Sequence, residues 1–119
     1  MRSELNIPAL SIASSEQDGV QVVTLQGELD LRGVGELETV LAVAGESGRV
    51  CLNLSELRFI DSTGLATVIR AHQALAGSGG RLVVVCSTDG AVRRAFETTG
   101  LMTLLSVTSE RGAALQELG

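Results

Sequence analysis

The chain has 119 residues and a mass of 12.3 kDa, enough for one ordinary domain but too short for two independent hydrophobic cores. Apolar residues make up 45% of it and charged residues 19%, so it can bury a core and is not a disordered protein. All nine basic residues are Arg, which excludes P-loop and Schiff-base chemistry, while a net charge of −5 and two aromatic residues argue against nucleic acid as a direct partner.

The first third of the chain predicts a hairpin followed by a helix. Two partly alternating apolar stretches, residues 9–13 and 20–25, flank the turn-forming sequence Gln17-Asp18-Gly19, which indicates two antiparallel strands. Between Val34 and Ala44 the apolar residues recur at helical spacing, and glycines follow that segment. The chain therefore begins with two strands and a helix.

Strands and helices alternate in the next part of the chain. Residues 50–54 predict a short buried strand that continues into a loop, and the unbroken apolar run of residues 82–86 predicts a central strand. Helices are predicted from Ser62 to Ala76 and from Asp89, as the capping residue, to about Gly100.

A last strand within residues 101–107 and a last helix at about 109–118 complete the order β-β-α-β-α-β-α-β-α. Such alternation favours right-handed crossovers onto a parallel sheet. The sequence therefore predicts an α/β fold in one small domain. Its mixed, mostly parallel sheet has four to five strands, with an antiparallel hairpin at the N-terminal end and about four helices.

The N-terminus and the cysteines indicate a cytoplasmic protein. An acidic residue, Glu4, stands where a signal peptide carries positive charge, and no apolar run approaches the roughly 18 residues of a membrane helix. We therefore expect no membrane partner. Cys51 and Cys86 lie inside apolar runs at a spacing that suits no zinc site, so they are interpreted as buried reduced thiols, with no metal and no cofactor.

The most informative segment is Asp61-Ser62-Thr63-Gly64, which stands where a buried strand gives way to a helix. Side-chain oxygens there can accept the first free backbone N–H groups of the helix, and each such cap is worth about 1 kcal/mol. The same place suits a phosphate, because a helix N-terminus offers unpaired donors and a partial positive charge. Capping alone and capping combined with a phosphorylation site both remain open on the residues themselves.

Three motifs in order resemble the STAS-domain anti-sigma-factor antagonists of bacteria. They are Gly27-Glu28-Leu29-Asp30 after the second strand, Phe59-Ile60-Asp61-Ser62-Thr63-Gly64-Leu65 before the second helix, and Thr99-Gly100-Leu101. The resemblance covers about residues 8–117 and implies a single STAS-like domain over residues 1–119, with its core at about 8–117.

The resemblance also implies a function. In that family the residue after the Asp of the second motif accepts phosphate from a partner that is both serine kinase and anti-sigma factor, and that residue here is Ser62. The unphosphorylated protein would bind the anti-sigma factor and release sigma. Phosphorylation would weaken that binding, and a phosphoserine phosphatase would restore it. Asp61, Thr63, Gly64 and Asp30 would form the surroundings of the phosphosite and the partner surface.

Two assignments within this site have alternatives. Thr63 stands where many relatives carry a second Ser, so it is the second candidate acceptor. Asp30 matches a family position that the resemblance implicates in partner or kinase recognition, and it also suits an ordinary acidic residue in a loop or at a helix start. Arg93 and Arg94 are interpreted as a solvated helix face.

Two other classes of function compete with this one. An enzyme using Ser62 as nucleophile needs a base, and the single His of the chain, His72, lies ten residues along the same predicted helix, roughly 15 Å away. We therefore expect no enzymatic activity and expect His72 to pack at the edge of the core. The second class is a STAS-type scaffold or accessory subunit, without a phosphoswitch, in a stress-signalling or a lipid- or anion-transport complex.

Overall fold

One sheet of five strands organises residues 9–119, the part of the chain that the computed structural model describes. The strands are β1 (Leu10–Gln17), β2 (Val20–Leu29), β3 (Arg49–Ile60), β4 (Arg81–Val85) and β5 (Ser106–Thr108). The helices are α1 (Val34–Gly45), α2 (Ser62–Gly77), α3 (Ala91–Thr98), α4 (Leu101–Leu104) and α5 (Arg111–Leu118). The interpretation of Glu4 lies outside the described residues.

The strands stand in the order in which they follow along the chain. β1 and β2 pair antiparallel, and every later pair is parallel. The hairpin turn places Asp18 at φ 54° and Gly19 at φ 81°, and two consecutive residues with positive φ suit the tight turn that follows the twist of the strands. The predicted α/β class, with a mostly parallel sheet and an N-terminal hairpin, is confirmed.

The two faces of the sheet are covered to different extents. On one face the first four helices enclose the larger core, which includes Leu25, Leu52 and the fully buried Phe96. On the other face α5 covers a smaller cluster through Ala114 and Leu118. That cluster reaches only the first halves of β2 and β3, so the later part of β3 exposes much of its outer face to solvent.

Strand β3 is longer than predicted, because it continues from residue 54 through the expected loop to Ile60. Its pairing with β2 shifts register twice on the way and ends with Leu29 beside Ile60. Irregularities of this kind interrupt the two-residue alternation of a strand, so the buried Leu57 and Ile60 fall three residues apart in sequence. The sequence pattern at the end of β3 therefore resembles that of a loop, although the backbone there still pairs with β2.

The region around α3 and α4 also differs from the prediction. Asp89 does not cap α3, because the chain passes through Gly90 at φ 99° and the helix begins one residue later than a cap at Asp89 requires. The predicted strand over residues 101–107 divides into the short helix α4 and the three-residue strand β5. The described residues thus contain five helices where about four were expected.

Candidate functional site

The candidate site lies at the edge of the sheet where β2 and β3 end. The backbone N–H of Asp61 donates to the carbonyl oxygen of Leu29 at 3.1 Å, immediately beyond the last paired residues of the two strands. Neighbouring strands lie about 4.8 Å apart, so Asp30 and Asp61 leave the sheet side by side. The structure therefore brings together two acidic residues that are 31 positions apart in the sequence.

Asp61 is the residue that caps α2. Its Oδ1 accepts the backbone N–H of Gly64 at 3.0 Å and the hydroxyl of Thr63 at 2.6 Å. This satisfies one of the free donors of the helix start and is worth about 1 kcal/mol by analogy with measured caps. The Thr63 hydroxyl is occupied by its hydrogen bond to Asp61. At the start of α2, Asp61 therefore caps the helix and Thr63 supports the cap.

The protonation state of Asp61 follows from these contacts. The hydrogen bond from the Thr63 hydroxyl holds the pKa of Asp61 below its ordinary value of 3.8. The backbone N–H groups of Gly64 and Thr63 act in the same direction, whereas desolvation and the nearby charge of Asp30 oppose them. Asp61 is therefore an anion at neutral pH and already carries negative charge beside Ser62.

Ser62 is the first residue of α2, and its side chain is exposed. Within residues 9–119 its hydroxyl makes no hydrogen bond, because the capping position belongs to Asp61. A serine at the first helical position points outward while the unpaired backbone donors of the first turn lie beneath it. The hydroxyl is therefore accessible and chemically unengaged.

Asp30 forms an ion pair with a residue of its own loop. Both carboxylate oxygens accept from Nε of Arg32 at 3.2 Å, and Oδ2 also accepts from Nη2 at 2.7 Å. The side-chain hydrogen bond from Arg32 lowers the pKa of Asp30, with further help from the Arg32 backbone N–H, which lies 3.0 Å from Oδ1. Asp30 is thus partly neutralised where it leaves the sheet.

Gly64 fixes the position of α2 against the ends of both strands. A Cβ atom on this residue would lie 2.8 Å from Cγ1 of Ile60 and 2.9 Å from Cγ of Leu29, closer than real Cβ contacts allow. The absence of a side chain lets the helix start approach the sheet edge closely. This contact holds the buried side of the first turn and leaves Ser62 on the outer side.

Two exposed apolar side chains accompany the acidic residues. Leu31 follows Asp30 directly and is 71% exposed, and Phe59 precedes the end of β3 and is 43% exposed. Large exposed apolar residues near a polar site are typical of protein-interaction surfaces. Sequence reasoning missed both as interaction residues, and it also missed Arg32. For Leu31 the available signal was its position between the charged residues Asp30 and Arg32, outside any periodic apolar run.

Other residues singled out in the sequence lie elsewhere. His72 lies on α2 ten residues beyond Ser62 and is half-buried, as predicted. Its Nδ1 is buried, without a hydrogen-bond partner among the described residues. Cys51 and Cys86 are buried and form no disulfide, which confirms the prediction of buried thiols, and burial raises the pKa of both.

The interpretation of Arg93 as a solvated residue is wrong. Its side chain is half-buried and donates to the carbonyl oxygens of Ser87 and Cys86 at 2.8 and 2.9 Å. These carbonyls follow the end of the short strand β4 and need a donor that the sheet does not supply. Arg94, one residue later, is exposed as predicted.

Within residues 9–119, no group of three or more His, Cys, Asp or Glu side chains is arranged to hold a metal ion. Over the same residues no helix combines the length and apolar character that a bilayer crossing requires. A shallow cavity of about 370 Å³ lies between α1 and α2, but neither Ser62 nor Asp61 lines it. The candidate site therefore consists of the free hydroxyl of Ser62, the neighbouring carboxylates of Asp30 and Asp61, and the exposed apolar side chains of Leu31 and Phe59.

Comparisons with known sequences place the chain in a family. It matches the family model described as Mlab, STAS domain, over residues 12–106. It is 35% identical over 100 residues to the anti-sigma-B factor antagonist of Staphylococcus aureus, and this alignment covers 82% of the chain and 92% of the relative. The resemblance inferred from the three motifs is confirmed.

Comparisons with solved structures agree on the fold. An anti-sigma factor antagonist from Mycobacterium paratuberculosis superposes with a TM-score of 0.84 at 25% identity, covering 92% of this chain and 93% of that one. SpoIIAA of Bacillus in its phosphorylated form superposes with a TM-score of 0.68 at 21% identity, covering 92% of this chain and 100% of that one. Because SpoIIAA shares only 21% identity with this chain, its likeness shows a common fold and no more.

Proposed function

The chain belongs to the STAS domain family, and on that premise we propose that it is an anti-sigma-factor antagonist switched by phosphorylation of Ser62. In its unphosphorylated form it binds an anti-sigma factor that is also a serine kinase, and the sigma factor is released. A phosphoserine phosphatase reverses the modification. The name of the Staphylococcus aureus relative supports the antagonist role.

The two hydroxyls at the start of α2 differ in their hydrogen bonding, and this difference is the main support for Ser62 as the phosphate acceptor. Thr63 donates its hydroxyl proton to Asp61 at 2.6 Å, whereas the Ser62 hydroxyl is exposed and has no partner among residues 9–119. Phosphorylation of Thr63 would have to break that bond and place a phosphoryl group against the capping carboxylate. Ser62 therefore takes the phosphate, and Thr63 serves the cap.

The chemistry of the switch is a simple transfer. The Ser62 oxygen forms a bond to the γ-phosphorus of ATP, the bond from that phosphorus to the ADP oxygen breaks, and the hydroxyl proton passes to a base of the kinase. Water later displaces the serine oxygen at the phosphatase and yields inorganic phosphate. This chain supplies the acceptor and no catalytic group, since His72 lies about 15 Å along the helix.

The effect of the phosphate is electrostatic and local. It adds about −1.5 to −2 charges directly beside Asp61 and near Asp30. The partial positive charge of the helix start tolerates this within the molecule. A partner that buries the same surface has to desolvate those charges without compensation, which is strongly unfavourable. Binding is switched off without unfolding.

We also assign the partner surface to the exposed part of this edge. Leu31 and Phe59 provide apolar area, and Asp30 and Asp61 provide charge beside it. Interfaces combine a dry apolar centre with charged groups around it, and aromatic residues contribute disproportionately to affinity. The phosphate of Ser62 would stand among these residues.

The test uses recombinant protein, ATP and the kinase that co-purifies with the chain from its host. Wild type and Thr63→Ala are expected to be labelled, and Ser62→Ala is expected to remain unlabelled while still binding the unmodified partner. Phosphosite mass spectrometry assigns the position. Unchanged labelling of Ser62→Ala would show that the assignment is wrong. An unmodified native protein accompanied by membrane-transport subunits would favour the accessory role instead.

A further inference from the structure

The strand β1 forms a lateral edge of the sheet that is open to a further strand. Among residues 9–119 it pairs with β2 alone, in a register that runs without interruption from Leu10 to Gln17. Open edges are usually shielded from pairing by Lys or Pro residues, by bulges or by a very short strand. β1 has eight residues, no Lys, no Pro and no bulge, and every side chain from Ala13 onward is exposed. The edge of β1 is therefore able to pair.

The register of the hairpin shows which backbone groups of β1 point away from β2. In an antiparallel pair, residues that exchange hydrogen bonds with the neighbouring strand alternate with residues whose N–H and C=O groups point outward. The N–H of Glu28 donates to the carbonyl of Ala9 at 2.8 Å, so the odd-numbered residues of β1 bond to β2. The even-numbered residues therefore direct their backbone groups to the open edge. They are Leu10, Ile12, Ser14 and Glu16.

These outward groups are spaced symmetrically about Ala13, so a second, antiparallel copy of β1 satisfies all of them. A two-fold axis beside Ala13 places Ile12 opposite Ser14 of the second copy, and Leu10 opposite Glu16 of the second copy. Each of these pairs occurs twice and exchanges two bonds, which gives about eight hydrogen bonds. Ala13 then faces its own copy at a position where the two Cα atoms approach to about 4.5 Å, and its small side chain suits that approach.

The side chains along the edge of β1 are also compatible with a second copy. In the same register Ser11 faces Ser15 of the second copy, and both side chains are small and uncharged. Glu16 is the one charged residue of β1, and the two Glu16 side chains stand at opposite ends of the pairing, roughly 20 Å apart. This separation exceeds the screening length of about 8 Å at physiological salt. The net charge of −5 therefore places no like charges against each other at this edge.

We propose that two copies of the chain form a two-fold dimer through antiparallel pairing of their β1 strands, with the axis at Ala13. The two five-stranded sheets then join into one continuous sheet. Paired edges of two short strands bury less than the roughly 1,200 Å² of stable complexes, so the dimer forms reversibly at high protein concentration. The pairing uses the side of the sheet, whereas Ser62 lies where β2 and β3 end, so it does not depend on the proposed phosphoswitch.

Three cysteine variants of the full chain test the register. Ala13→Cys lies opposite its own copy, at a Cα separation of about 4.5 Å that a disulfide can span. Ser11→Cys and Ser15→Cys lie opposite each other, whereas each is about 14 Å from its own copy. We therefore expect mild oxidation with diamide to cross-link Ala13→Cys alone, and Ser11→Cys to Ser15→Cys in a mixture, but neither serine variant alone. Cys51 and Cys86 are buried and do not compete for the oxidant.

Sedimentation velocity at increasing protein concentration measures the dimer itself, and the wild type is expected to shift from monomer towards dimer. Ala13→Lys is expected to raise the dissociation constant about fivefold or more, because it places two like charges directly opposite each other. Ala42→Lys makes the same change at an exposed position of α1 and is expected to leave the constant unchanged. A wild type that stays monomeric at every concentration, equal effects of the two lysine variants, or equal cross-linking of all three cysteine variants would overturn the proposal.

Discussion

The starts of α2 and α3 differ although both follow neighbouring parallel strands at one edge of the sheet. Each start is preceded by an acidic residue, Asp61 or Asp89. Asp61 accepts two hydrogen bonds and caps its helix, whereas α3 has Gly90 at its cap position and no side-chain cap. The difference is one of register, because Asp89 stands one residue too early to reach the free donors.

Because the two helix starts are capped differently, only the start of α2 suits a phosphoswitch. At α2 the cap is made by Asp61 and Thr63, which leaves the hydroxyl of Ser62 free and exposed. The first turn of α3 contains Ala91, Val92 and Arg93, so it offers no acceptor. A phosphorylation site of this kind needs a free hydroxyl at the first helical position and a separate residue that accepts the free backbone N–H groups of the helix.

The largest expected effect on stability comes from the glycine that packs α2 against the sheet. Gly64→Ala introduces a Cβ at 2.8 Å from Ile60 and 2.9 Å from Leu29. We expect a loss of about 1–3 kcal/mol in the free energy of unfolding, measured by urea denaturation, because overpacking outweighs the better helix propensity of Ala.

Two control variants accompany Gly64→Ala. Gly77→Ala, at the end of the same helix, meets no atom within 4 Å and is expected to be neutral or slightly stabilising. Gly90→Ala, before α3, also has space but forces Ala to φ 99°, so we expect a loss of about 1 kcal/mol from backbone strain. A Gly64→Ala protein as stable as wild type would show that α2 can move away from the strands.

The next largest effect on stability is expected when the acidic residue before α2, Asp61, is replaced, in comparison with the acidic residue before α3, Asp89. Asp61→Ala removes the acceptor for Gly64 N–H and Thr63, and we expect it to cost about 1 kcal/mol. Asp89→Ala is expected to stay within about 0.5 kcal/mol of wild type, because an exposed residue without a capping role contributes little. Equal losses for both variants, measured by thermal and urea denaturation, would mean that the two helix starts do not differ in capping.

The fold could be predicted from the sequence to the extent that periodicity is regular. The hairpin turn at Asp18 and Gly19 and the alternation of helices with apolar strands predicted the correct fold class and the order of elements apart from the short helix α4. The end of β3 could not be recognised, because two register shifts in its pairing with β2 interrupt the alternation. Whether residues 101–107 form a helix or a strand depends on their packing against α3 and β4, and sequence periodicity contains no information about that packing.

The site was predictable in its position but not in its internal division of roles. The motif located Asp61, Ser62 and Thr63 at a helix start, but any of the three oxygens could have been the cap. Only the geometry distinguishes them, since Asp61 lies at the cap position and Ser62 one residue inside. The pairing of Asp30 with Arg32 was equally hidden, because side-chain direction in a loop has no sequence period.

Acidification provides a smaller and more selective test of the α2 cap. The pKa of Asp61 is lowered in the folded chain from its ordinary 3.8, mainly by the Thr63 hydroxyl. Between the two pKa values the unfolded state binds more protons, so the contribution of Asp61 is complete above its ordinary pKa and disappears as pH falls through the folded value. We expect wild type to lose stability faster than Asp61→Asn below about pH 4.

Asparagine is suitable for this comparison because it is also a good capping residue and does not titrate. The pKa of Asp30 is lowered as well, by Arg32, so Asp30→Asn serves as the parallel control for the loop pair. Stability measured by urea denaturation at several pH values separates the two contributions. Parallel pH profiles for wild type and Asp61→Asn would contradict a titrating cap at Asp61.

The smallest expected effect is that of Ser62→Ala on stability. If the Ser62 hydroxyl were the helix cap, its loss would cost about 1 kcal/mol. Asp61 has that role and the hydroxyl is unbonded within residues 9–119, so we expect a change within about 0.5 kcal/mol, measured by urea denaturation. A loss close to that of Asp61→Ala would show that Ser62 contributes to the cap. A stable Ser62→Ala protein that binds its partner and resists phosphorylation would separate the hydroxyl that signals from the carboxylate that stabilises.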